Sequence, residues 1–129
     1  MATGLPASTG DILTAATVNG LVTFTVNTDA TADYTAVLTD QYQVLVPMNK
    51  ATAVAFKIPT NASVAFPVGT AITVLNKGAG AVTISAVTSG TTTVTSAGAV
   101  SASPTLAQYK TAVCIKLSTD SWVVVGAIA

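Results

Sequence analysis

The side chains that could do chemistry in this chain are five Asp, five Lys and one Cys, with no His, Arg or Glu beside them. Ser–His and Cys–His pairs therefore cannot form, because the nucleophile has no imidazole to take its proton. Cys114 falls mid-strand between Val113 and Ile115, where an inert buried thiol is expected. A zinc site lacks its donors. Carboxylate-pair chemistry of the glycosidase kind would have to come from the Asp residues. Asp29 and Asp33 share one loop and Asp40 follows a predicted strand, so a solvated turn accounts for all three. The alternative, a weak Ca²⁺ site at Asp29 and Asp33, falls short of the roughly six or more oxygens that ion takes.

Gly78-Ala79-Gly80 is too short for a phosphate loop, and no Lys-Ser/Thr follows it; it reads as a hairpin-like turn between Val74 and Val82. Trp122 and the three Tyr could stack on sugars, but Trp122 heads an apolar strand and is expected in a core or an interface. No catalytic, metal-binding or cofactor-binding residue is assigned. The chain is not expected to be an enzyme.

Composition points to assembly. Only 8% of residues are charged and the formal net charge is zero, against about 25% charged in an ordinary soluble domain. A lone monomer of this kind has little repulsion to keep molecules apart. The simplest resolution is a surface covered in a permanent assembly. Lys50, Lys57, Lys77, Lys110 and Lys116 are scattered and no Arg joins them, which disfavours nucleic-acid binding.

At 129 residues the chain suits one domain with a real core. A hydrophobic fraction of 50% and mean hydropathy of +0.65 suggest a membrane protein at first sight. Every apolar run is broken before the roughly 18 residues a spanning helix needs. Aromatics, at 5%, are too few for the girdles of a membrane barrel. No membrane insertion is expected. Met1–Gly10 shows no secretory signal, the lone Cys fits synthesis in a reducing cytoplasm, and Asn61-Ala62-Ser63 reads as a chance sequon.

Residues 1–20 read as an N-terminal docking arm, with a short helix near 12–19 stopped by Asn19-Gly20 and an apolar edge that includes Ile12, Leu13 and Leu21. A mobile tail with helical tendency is the alternative. From Leu21 the period becomes two, and residues 21–129 read as a single antiparallel β-sandwich or jelly-roll-like domain, all-β in class. Val22, Phe24 and Val26 are the expected buried face of the first strand. Further strands are predicted at Tyr34–Leu38, Tyr42–Val46, Ala53–Ile58, Ser63–Phe66, Ala71–Asn76, Ala81–Ala86, Thr91–Thr95, Tyr109–Leu117 and Trp122–Ile128. Pro47, Pro59-Thr60-Asn61, Pro67-Val68-Gly69, Ser89-Gly90 and Ser118-Thr119-Asp120 are the separators.

The final strand is apolar on both sides, so one face is expected against another subunit. Trp122, Val123, Val124, Val125 and Ile128 are the predicted interface residues. Residues 86–105 are nearly all small or β-branched, which suits close packing around a symmetry axis or, equally, a weakly specified hairpin.

The run Ile58-Pro59-Thr60-Asn61-Ala62-Ser63-Val64-Ala65-Phe66-Pro67-Val68-Gly69-Thr70-Ala71-Ile72-Thr73-Val74, then Gly78-Ala79-Gly80-Ala81-Val82-Thr83-Ile84, Gln108-Tyr109 and Lys116-Leu117-Ser118-Thr119-Asp120-Ser121-Trp122-Val123-Val124-Val125-Gly126, resembles a domain of tailed-bacteriophage virion proteins over about residues 34–129. The chain departs from that pattern at Leu75-Asn76-Lys77 and in the Thr-rich stretch 91–103. The resemblance implies a virion structural protein, all-β and trimeric, and carries over no catalytic residues. Two roles follow as expectations. The first is a capsid decoration, or cement, protein on the exterior of the head, bound to the major capsid protein as a homotrimer. The alternative is an adhesin: a short tail fibre, spike or head fibre binding a host receptor among tail or fibre proteins.

Overall fold

The computed structural model describes residues 24–97, 99–100 and 103–128. Val, Thr and Ile, whose branched side chains favour extended backbone, build β1 (Thr25–Val26), β2 (Tyr34–Thr35), β3 (Val44–Met48), β4 (Val54–Ile58), β5 (Ala71–Asn76), β6 (Val82–Ala86), β7 (Thr93–Ser96), β8 (Ala99–Val100), β9 (Thr105–Leu106), β10 (Thr111–Ser118) and β11 (Ser121–Gly126). One 3-10 turn, Leu38–Gln41, interrupts them. The all-β class is as expected. Seven strands form a large sheet in the order β1-β3-β5-β10-β11-β7-β8, and four form a small one, β2-β4-β6-β9.

The antiparallel sandwich requires correction, because both sheets are mixed. β1, β3 and β5 run parallel in the large sheet, as do β2, β4 and β6 in the small one. The chain crosses to the opposite sheet between parallel neighbours, so a strand supplies the connection for which a helix is usual. The offset is the same in both sheets: Val46 pairs with Val74 and Phe56 with Ile84. This winding is not the Greek-key pairing of a jelly roll. Antiparallel pairing enters later, where β10 lies between β5 and β11.

The corners of the winding stack. Asn49 N–H donates to the Ala30 carbonyl at 2.8 Å, and Lys77 N–H to that of Met48 at 2.8 Å. Gly78-Ala79-Gly80 is therefore a corner between sheets and not a hairpin. A Cβ at Gly78 would collide with the Lys50 backbone, and one at Gly80 with that of Thr52. Asn76, fully buried, pins this corner: its amide donates to the Gly80 and Leu106 carbonyls, both at 2.9 Å, and its oxygen accepts from Gly78 N–H at 3.0 Å.

Val44, Val46, Ile72, Val74, Cys114, Trp122 and Val124 of the large sheet close on Val54, Phe56, Ile58, Val82, Ile84 and Leu106 of the small one. Several sequence expectations change. Phe24 and Val26 are 62% and 63% exposed, because β1 is an edge strand. Residues 34–38 leave the strand after Thr35, where Asp40 draws the chain into the 3-10 turn. Pro47 lies inside β3 and does not end it. Its carbonyl faces Ala30, so its missing N–H points past the end of β1, where no ladder bond is lost. Ser63–Phe66 is no strand, because Ser63 and Val64 N–H both fold back onto the Thr60 carbonyl. β8 and β9 were not foreseen. The docking arm, its helix and Ile12, Leu13, Leu21 and Val22 lie outside the described residues.

Candidate functional site

The two sheets differ in what they turn outward. On the small sheet Thr35, Ala55, Lys57, Thr83, Ser85 and Thr105 alternate with core residues, so its outer face is polar. On the large sheet the residues between core positions are Leu45, Thr73, Leu75, Val113, Ile115, Val123 and Val125. Register aligns them into rows: Val26 beside Leu45, Leu45 beside Thr73, Thr73 beside Val113, and Val113 beside Val125. Ile115 lies between Ala71 and Val123 in the next row. No Asp or Lys interrupts these rows.

The face is flat and wide. Six strands about 4.8 Å apart and about five residues long give a footprint of roughly 400 Å² before side-chain relief is counted. Leu117 and Val26 at its margins, 55% and 63% exposed, extend it. A footprint of this size is at the scale of the largest apolar patch a monomer carries, about 300–600 Å², which is often a functional surface.

The structure divides the predicted interface residues. Val123 and Val125 face outward. Trp122 and Val124 are buried in the chain's own core, and Ile128, half-buried, packs against the margin of that core. Alternation alone did not say which face of β11 was which. On β10 the sequence sets Val113, Ile115 and Leu117 on one face and Ala112, Cys114 and Lys116 on the other, and it is the first, wholly apolar set that turns outward.

The carboxylates are individually engaged. Asp29 takes the Lys77 ammonium at 2.8 Å and an Asn49 amide hydrogen at 3.1 Å, and this pairing holds its pKa below the usual carboxylate value. Asp33 accepts from Ala55 N–H at 2.9 Å, which lowers its pKa, with Lys57 as a weaker partner. Asp40 overturns the solvated-turn reading. It is 2% exposed and accepts from the Tyr34 hydroxyl at 2.7 Å, Val37 N–H at 2.9 Å and the Asn27 amide at 3.2 Å. Burial, then the Asp40 carboxylate, pushes the Tyr34 pKa up. Among the described residues no group of three or more possible ligands is placed to hold a metal.

Cys114 is wholly buried, and burial pushes its pKa up to about 12. A small cleft lined by Ser85, Ser89, Thr92, Ser103 and their neighbours holds about 70 Å³ and presents hydroxyls without a titratable group. No described helix is long and apolar enough to cross a membrane. Compared with protein-family models, curated proteins and solved structures, the sequence and fold find no match.

Proposed function

We propose that this chain is a structural subunit of a bacteriophage virion, a capsid decoration protein that binds the head lattice as a homotrimer and reinforces it. The observation that carries the reading is the uncharged apolar outer face of the large sheet, with Val113, Ile115, Val123 and Val125 at its centre. Its occupant is a second copy of this chain. Two such faces bring no like charges together and leave no charged group to desolvate, so they are chemically complementary to themselves. At roughly 400 Å² the face supplies about half of the roughly 800 Å² per partner of a standard interface, and contacts beyond its margins would make up the rest. Three copies would turn these faces toward a common axis. The resemblance to virion domains and the low-charge composition support the same reading, and the arm at residues 1–20 is left to reach the major capsid protein.

A tail- or head-fibre adhesin is the second reading, favoured by the exposure of Tyr42 (67%) and Tyr109 (74%) on turns, since exposed aromatics are what binding sites use as anchors. Copy number in purified virions, measured by quantitative mass spectrometry, separates the two. Abundance comparable to the major capsid protein supports decoration. A small fraction of it supports the adhesin, and absence overturns the virion assignment.

A further inference from the structure

Lys116 is a buried amine without a carboxylate partner. It lies on the inward face of β10, is 3% exposed, and has no ion pair among the described residues. Its Nζ donates to the Asn61 side-chain oxygen at 2.5 Å and to the Phe66 carbonyl at 2.7 Å. Two neutral oxygens do not offset the desolvation of an ammonium as an opposite charge would. Two buried aromatic rings flank this contact. Trp122 lies directly across the ladder from Lys116, and its ring meets Phe66 edge-on at 5.6 Å.

Asn61 is held as firmly as Lys116. Its backbone N–H donates to Asp120 Oδ1 at 2.8 Å, and the Thr92 hydroxyl donates to the same oxygen at 3.0 Å. Asp120 can hold this place because it adopts φ of 56° in the turn between β10 and β11, a conformation Asp tolerates better than most residues. Amine and carboxamide thus meet on the inward side of β10, beside the turn that carries Asp120. With Nζ 2.5 Å from Oδ1, the length of the carbonyl bond puts the amine about 2.8–3.7 Å from the Asn61 Cγ, a range that includes the near-attack separation.

We propose that Lys116 and Asn61 join in an intramolecular isopeptide bond. The Lys116 Nζ, as the free amine, attacks Asn61 Cγ and forms the new C–N bond. The Cγ–Nδ2 bond breaks, and Nδ2 takes up a proton surrendered by Nζ and leaves as ammonia. Nothing is oxidised or reduced, and no co-reactant is consumed. The product replaces a buried amine by a neutral amide and closes a 55-residue span between β10 and the loop before β5. This inference does not rest on the virion reading.

Trypsin digestion of the purified, denatured full-length chain tests it, because an amidated Lys116 is no longer cut. The expected result is peptide 58–77 joined to 111–129, lighter than their sum by one ammonia. Separate peptides 58–77 and 111–116 at full mass overturn the proposal. Asn61→Ala and Lys116→Met should each abolish the joined species, and an ammonia loss that persists in Asn61→Ala also overturns it.

Discussion

Val113 and Val125 stand directly opposite each other on β10 and β11, and both point away from the protomer's core. Their neighbours Cys114 and Val124 form the next pair and point into it. The two strands are thus apolar on both sides, with one side filled by the small sheet and the other turned outward.

Association through such a face should be nearly insensitive to salt. Screening acts on charges, and none lies in the rows around Val113. Sedimentation at about 0.05 M and about 1 M NaCl should give dissociation constants within about threefold, as expected for an interface without ion pairs. A drop of tenfold or more at high salt would mean that charged groups hold the chains together.

The stacked corners should be intolerant of side chains. Gly80→Ala drives a methyl group into the Thr52 backbone, and Gly78→Ala into that of Lys50, so each should cost about 1–3 kcal/mol or more. Gly90 has open space beside it but φ of +89°, so Gly90→Ala should cost only about 1–2 kcal/mol, from backbone strain alone. Urea unfolding of the three variants gives the ranking.

Asn76 should be among the least replaceable polar residues. Asn76→Ala strands the Gly78 N–H and the Gly80 and Leu106 carbonyls together. At about 1–3 kcal/mol for each buried group left unpaired, a loss of about 3 kcal/mol or more is expected in the same assay. A loss below about 1 kcal/mol would show that these groups find other partners.

Both ends of the pH scale should weaken the fold. Asp29 and Asp33 have folded pKa values below their ordinary 3.8, so their contribution is present above that value and is lost as pH falls through the lower folded values. Cys114 is raised from 9.0 to about 12, so its contribution is complete below pH 9.0 and is lost as pH rises toward about 12. Tyr34 acts in the same direction above its ordinary 10.0. Thermal melting across pH should show both limbs. Cys114→Val should flatten the alkaline limb from pH 9 upward.

Much of the strand pattern was legible in the residues. β5 has the predicted bounds Ala71–Asn76, because strict alternation there is flanked by Gly69-Thr70 and Gly78. What alternation cannot give is the neighbour of each strand, so the parallel winding was missed. Its trace is present in the sequence: Val46 precedes Val54 by the same spacing as Val74 precedes Val82, and both pairs lie in register. Alternation also leaves inside and outside undecided when both faces are apolar. Trp122 and Val124 were assigned to the interface for that reason. Lys116 shows the limit most plainly, since only the contacts with Asn61 and Phe66, distant in sequence, explain a Lys on the core side of β10.

The mass of the purified chain in solution, by sedimentation velocity, tests the central claim most directly when the wild type is run beside Val113→Lys/Val125→Lys. The wild type should sediment at three times the 12.8 kDa of one chain, and the double variant as a monomer with unchanged circular dichroism. A monomeric wild type, or a double variant that remains a trimer, would contradict assembly through the outer face of the large sheet.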